Sequence, residues 1–94
     1  MILSYGDART EQFAKGERVK QFKPFRHQAE NRLFRLETAA GLDDLGALRG
    51  NRLEKMSGDR KGQWSIRIND QWRICFRWAD GALGPNDVEI VDYH

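Results

Sequence analysis

Apolar residues recur with two different periods, and the change of period divides the chain. In the first half the spacing is helical. Asp7 is placed to cap a short helix over about Ala8–Ala14, with Gly16 as its stop. The charged stretch Glu17 to Lys23 reads as a connector, and Pro24 suits the first turn of a second helix. Phe25, Ala29, Leu33, Leu36 and Ala40 then recur every three or four residues and form one helical face. Gly41 ends that helix, and Asp43 or Asp44 can cap a short turn over Leu45–Leu48. At the other extreme of this half, Ile2-Leu3-Ser4 reads as a short edge strand.

From Arg52 onward the pattern alternates. Arg52–Met56 reads as a strand, and Ser57 to Gly62 as a loop. Trp64, Ile66 and Ile68 alternate with polar residues, as do Trp72, Ile74, Phe76 and Trp78. A glycine- and proline-bearing loop over Ala79–Asp87 leads to a last strand, Val88–Tyr93. Helices first and a meander of strands after predict an α+β fold. In it the N-terminal helices pack on one face of a small, mainly antiparallel sheet, as one domain over residues 1–94.

The central hairpin permits a register prediction. Residues opposite each other across an antiparallel pair share a sheet face. A two-residue loop at Asn69-Asp70 would pair Arg67 with Trp72 and mix the faces. A three-residue loop, Asn69-Asp70-Gln71, pairs Ile68 with Trp72, Ile66 with Ile74 and Arg67 with Arg73. Two arginines then stand opposite each other on the face away from the core. Such a pair is explained either by an anion between them, such as a phosphate, or by a separate carboxylate for each from Glu54, Asp59, Asp70, Glu89 or Asp92.

Charge sharpens this. The net charge of +2 conceals an uneven distribution: residues 49–77 carry 8 basic and 3 acidic side chains, and residues 78–94 carry 4 acidic and no basic ones. The basic block suits an anionic polymer, unless the acidic last strand lies beside it and neutralises it. Arginine outnumbers lysine 11 to 5, which favours bidentate contacts to phosphate or carboxylate. With 39% hydrophobic and 32% charged residues the chain is a globular rather than a disordered one. No apolar run is long enough for a membrane span, and the start lacks the pattern of a signal peptide, so a cytoplasmic location is expected. The single cysteine, Cys75, excludes an internal disulfide, and His27, His94 and Cys75 are too scattered for a transition-metal site. No cofactor is expected.

Among the remaining candidates, His94 can serve as a general acid or base, or be a frayed terminus. Tyr93 can donate a hydrogen bond or stack on a base. Lys55, Arg60 and Lys61 flank a glycine-bounded loop and could contact phosphates or only solvent. Trp64, Trp72 and Trp78 fit the core face, His27 a helix surface, and Cys75 lies in phase with the arginines without a base beside it.

The segment Asn51-Arg52-Leu53-Glu54-Lys55-Met56-Ser57-Gly58-Asp59-Arg60-Lys61-Gly62-Gln63-Trp64-Ser65-Ile66-Arg67-Ile68-Asn69-Asp70-Gln71-Trp72-Arg73-Ile74-Cys75-Phe76 closely resembles the HigB branch of the RelE-type toxins, the plasmid-maintenance or proteic killer proteins. The ending Val88-Glu89-Ile90-Val91-Asp92-Tyr93-His94 matches the family's close, and the N-terminal half matches more loosely. The resemblance implies a RelE-like microbial RNase fold and an mRNA interferase that cuts messenger RNA in the ribosomal A site by 2′-hydroxyl attack, without a metal. It implies a HigA-like helix-turn-helix antitoxin as partner, which carries the complex to operator DNA, with a monomer alone and a heterotetramer in the complex. By motif, Arg67 and Arg73 correspond to the family's sheet arginines at the scissile phosphate, Tyr93 and His94 to its C-terminal aromatic–histidine pair, and Lys55, Arg60 and Lys61 to the basic region that contacts RNA. Where some relatives carry a histidine before the glycine loop, this chain has Glu54-Lys55, so the resemblance names no second proton-transfer group. The alternative is a non-catalytic module that binds RNA or an antitoxin.

Overall fold

The structure, a computed structural model, describes Met1–Tyr93. Helix α1 spans Ala8–Ala14, and the extended Asp7 caps it by accepting a hydrogen bond from the Thr10 amide at 3.0 Å. The connector is not open coil: Lys20–Phe25 is a 3-10 turn, with Pro24 inside it, and α2 spans Arg26–Thr38. Pro24 therefore precedes α2 rather than opening it. In a 3-10 turn, side chains three residues apart eclipse, so Phe22 and Phe25 both face inward. They meet the Trp72 ring at 5.8 and 4.9 Å between centroids, which fastens the turn beneath the central hairpin.

The inward face of α2 is Ala29, Leu33 and Leu36, continued by Phe25 before it and Ala39 after it. Ala40, predicted on this face, is exposed, because the helix ends at Thr38 and the backbone of Ala39 turns extended. The next turn is α3, Leu42–Gly46, earlier than the spacing suggested. Gly41 precedes it, and the Asp44 carboxylate instead accepts from the Ala40 amide at 2.8 Å. A short turn at Arg49–Asn51 follows. Asn51 there is fully buried. It donates to the Leu45 carbonyl at 3.0 Å and accepts from Arg35 Nη1 at 2.7 Å, tying α2, α3 and this turn together.

Four antiparallel strands follow, β1 (Glu54–Lys55), β2 (Trp64–Arg67), β3 (Trp72–Arg77) and β4 (Asn86–Asp92), in the spatial order β1-β2-β3-β4. Helices before an antiparallel meander make this the expected α+β arrangement. The core face carries Ile66, Ile74, Phe76, Val88 and Ile90, all fully buried. Strand β1 is shorter than Arg52–Met56 because Arg52 takes a left-handed backbone (φ 45°), which sheet pairing cannot accommodate. Strand β4 begins two residues before Val88, with Asn86 opposite Arg77 beyond a bulge at Cys75/Arg77. The Ile2–Ser4 segment forms no strand. It runs beside β4 through one parallel bridge, Tyr5 to Val88, and the Val88 amide donates to the Ser4 carbonyl at 3.1 Å. Farther along the same edge, the Ile90 amide donates to the buried Thr10 hydroxyl at 2.9 Å. The open edge of β4 is thus closed by a side chain from α1.

The face away from the helices is not wholly wet. Met56, Cys75 and Val91 form a small buried cluster on it. Burial pushes the Cys75 thiol up; Glu89 adds to this, and Arg60 and Arg73 oppose it. No helix among the described residues is long and apolar enough to cross a membrane.

Two outcomes follow from these contacts. Thr10→Val keeps the shape but strands the buried Ile90 amide, so urea unfolding should show a loss of about 1–3 kcal/mol, with most of it restored in Thr10→Ser. Because the folded thiol titrates above the unfolded one, Cys75 contributes stability that is complete below the unfolded value, about 8.5, and is lost as pH rises past it. Unfolding followed from about pH 7 to 9.5, below the ordinary tyrosine range, should lose stability more steeply for the wild type than for Cys75→Ala.

Candidate active site

The register places Arg67 opposite Arg73, as the three-residue loop requires. The Ile68 amide donates to the Trp72 carbonyl at 2.9 Å, so that pair is a hydrogen-bonded one. By alternation, Arg67 and Arg73 form a non-hydrogen-bonded pair, the type in which α-carbons approach to about 4.5 Å and side chains lie closest. Two like charges are therefore held together by the backbone ladder.

Each arginine has a carboxylate of its own, the second of the two explanations raised by the sequence. Arg67 is half-buried and ion-paired with Asp70 in the hairpin loop. Arg73 lies 3.5 Å from the Glu54 carboxylate. The two are otherwise unlike. Arg73 is only 7% exposed. Its Nε donates to Ser65 Oγ at 2.8 Å, and its Nη2 donates to the Arg52 carbonyl at 2.7 Å and the Ser65 carbonyl at 3.4 Å. The left-handed turn at Arg52 is what presents that carbonyl. Nη1 of Arg73 makes no hydrogen bond among the described residues, and no described side-chain nitrogen or oxygen is both buried and unpartnered. Nη1 is therefore unbonded but not sealed from solvent. The guanidinium is clamped along two edges and keeps one nitrogen without a protein partner among the described residues.

Tyr93 covers this group. Its amide continues the ladder by donating to the Gln71 carbonyl at 2.7 Å, and its ring centroid lies 5.7 Å from the Arg73 guanidinium carbon. At 44% exposure the ring is accessible for stacking. Beside it is a depression of about 240 Å³ lined by Met56, Ser57, Asp59, Arg60, Val91 and Tyr93, among others. Arg60 reaches the sheet here, donating to Gln63 Oε1 at 3.1 Å and lying 3.5 Å from Glu89. Arg67, Arg73, Tyr93 and Arg60 are thus brought to one side of the sheet.

The lysines are not gathered with them. Lys61 is exposed just beyond the Gly58–Arg60 turn. Lys55 pairs with Trp64, a core-face residue, and its Nζ lies 5.7 Å from that ring, so it points away from Arg73. The expectation for His94 lies outside the described residues. Among those residues no group of three or more His, Cys, Asp or Glu side chains is placed to hold a metal ion. Cys75 is buried with a raised pKa, which keeps it a protonated packing residue.

Three further participants lie beyond the candidates that the sequence pattern names. Ser65 had a usable signal, since the register makes it the diagonal neighbour of Arg73 across the hairpin. The Arg52 carbonyl had none, being a backbone conformation. Nor had Arg32, whose Nε donates to the Arg67 carbonyl at 2.8 Å from α2.

The family model described as the RelE-like toxin of type II toxin-antitoxin system HigB matches residues 4–94. The chain is 39% identical over 86 residues to Toxin HigB-1 of Vibrio cholerae serotype O1, covering 87% of this chain and 88% of that protein. It is 34% identical over 64 residues to Endoribonuclease HigB of Proteus vulgaris, covering 68% of this chain and 66% of that one. With residues 4–94 matched by the family model and relatives 39% and 34% identical, the chain belongs to the HigB-like family of RelE-like toxins of type II toxin-antitoxin systems.

Proposed function

We propose that this toxin is an endoribonuclease, a ribosome-dependent mRNA interferase acting in the ribosomal A site. The observation that carries the reading is the clamped Arg73 guanidinium with Nη1 unbonded, beside Arg67 and the Tyr93 ring. A relative named as an endoribonuclease supports it. The 2′-hydroxyl attacks the adjacent phosphorus in line. A bond forms between the 2′-oxygen and phosphorus, the bond to the 5′-oxygen breaks, and a cyclic phosphate and a 5′-hydroxyl result. One proton leaves the 2′-oxygen and one reaches the 5′-oxygen. The intervening phosphorane gains negative charge, which Arg73 and Arg67 offset from fixed positions, so little reorganisation is needed at the moment of reaction. For Arg67 this means exchanging Asp70, a highly exposed partner, for the phosphate. Tyr93 stacks on a base or orients the 2′-hydroxyl, and His94 transfers a proton. Arg60 adds a phosphate contact beside Tyr93, with Lys61 just beyond it; Lys55, turned toward Trp64, lies outside this set.

So sparse a set leaves much of the alignment to the ribosome, and activity on free RNA is expected to be weak. A type II toxin has an antitoxin as partner; we take it to be HigA-like, with a helix-turn-helix domain, forming a heterotetramer that reaches operator DNA through the antitoxin. The cytoplasm follows as its place of action.

Cleavage mapping by primer extension, with and without translating ribosomes, tests this. Wild type should cut translated message far faster than free RNA. Arg73→Lys keeps charge but loses the fork and should slow cutting by about 10²-fold. His94→Ala should slow it by about 10²–10⁴-fold. Equal cutting of naked RNA would refute ribosome dependence. Cutting that persists in His94→Ala would move proton transfer to Tyr93. No cutting by a folded wild type would leave the non-catalytic binding module.

A further inference from the structure

Six of the 11 arginines have a carboxylate within 4.0 Å. Of the five that do not, among the described residues, four lie together: Arg32 and Arg35 on α2, and Arg49 and Arg52 on either side of Asn51. Hydrogen bonds tie three of the four to the arginine pair or to Asn51, and Arg49 stands two residues before Asn51. Arg32 Nε donates to the outward-facing carbonyl of Arg67 at 2.8 Å, Arg35 Nη1 donates to Asn51 at 2.7 Å, and the Arg52 carbonyl receives Arg73. Arg32 feels the crowding: burial, then Arg35, then Arg67 lower its proton affinity. Arg49 and Arg52 are exposed.

Like charges gathered without counter-ions cost stability unless an anion joins them. Everywhere else on the sheet the arginines are paired. All the groups here are guanidinium forks rather than ammonium points, the geometry that suits phosphate bidentately. The tract begins at the arginine pair and leads over the outer edge of β2, where β1 is too short to cover it. A chain of phosphates that left Arg67 over this edge would meet Arg32 next.

We propose that Arg32, Arg35, Arg49 and Arg52 form a phosphate track for the RNA strand flanking the scissile phosphate, continuous with Arg67. This rests on the endoribonuclease reading above and extends its substrate contact beyond the cleaved step. Arg32 and Arg35 also hold the fold, so the test uses the two exposed residues. Asn tolerates a left-handed backbone, which makes Arg49→Gln/Arg52→Asn the suitable double variant. Lys20→Gln/Lys23→Gln removes the same charge elsewhere.

Binding is measured by fluorescence anisotropy with an uncleavable 2′-O-methyl RNA of about 12 nucleotides, across about 50–200 mM salt. The Arg49/Arg52 variant should bind on the order of tenfold more weakly, and its salt slope should shrink by about 1.4, or about 0.7 for each lost phosphate contact. The lysine variant should stay within about twofold of wild type, and both should melt as wild type does. Unchanged binding by the Arg49/Arg52 variant, or an equal loss in the lysine variant, overturns the track. If wild type still cuts translated message in that case, the endoribonuclease reading stands without it. A wild type that neither binds the RNA nor cuts message overturns both.

Discussion

A guanidinium taken nearly out of water must be met by acceptors on every buried edge, and the open face of this sheet is arranged to meet that demand. An isolated buried charge would cost several kcal/mol. Arg73 recovers this through Ser65 from β2, the Arg52 carbonyl from the turn before β1, and the Glu54 carboxylate from β1 itself. Three segments are thereby fixed relative to one side chain. The unfavourable left-handed backbone of Arg52 persists because the carbonyl it presents has this partner. The Tyr93 ring lies against the same group from the last strand, so the end of the described chain is positioned by it as well.

A sheet this small has two edges to close, and they are closed by different chemistry. The β4 edge takes backbone from the Tyr5 region and then the Thr10 hydroxyl, both local to the helical layer. These contacts satisfy amides and leave no charge behind. The β2 edge beyond β1 is closed by Arg32, which satisfies the Arg67 carbonyl but brings a second cation to a position that already has one. A hydroxyl or an amide would have served the backbone equally well. The stable edge and the charged edge thus lie on opposite sides of the same hairpin, and the charged one adjoins the arginine pair.

Local rules made much of this legible. The Asp7 cap, the inward face of α2 and the Ile66/Ile74 and Arg67/Arg73 register all follow from spacings within about a dozen residues. The register was legible because a one-residue slip would have turned every isoleucine outward. What escaped involves one partner that carries no side-chain signature. Arg52 and Arg67 act through carbonyls, and their partners Arg73 and Arg32 lie 21 and 35 residues away. Thr10 meets the Ile90 amide across 80 residues. Asn51, in a stretch with no apolar period, gave no sign that it would be fully buried. Pro24 misled in the other direction, since its ring suits both a first helical turn and the 3-10 turn that lets Phe22 and Phe25 face Trp72. Of the candidate site, the sheet arginines were visible as a pair; their inequality was not.

On the proposed endoribonuclease reading, that inequality has a physical use. Arg73 is held by neighbours it does not need to exchange, so its one unbonded nitrogen keeps a fixed direction whether or not a phosphate is present. Arg67 is held by an exposed aspartate on a loop, a partner that water and salt weaken and that a phosphate can replace. A rigid donor stabilises charge that develops at one point, because it need not be reoriented as the charge grows. An exchangeable one admits a ligand without first breaking a buried contact. The backbone ladder sets the two side by side, and the loop's aspartate and the sheet's serine decide which is which.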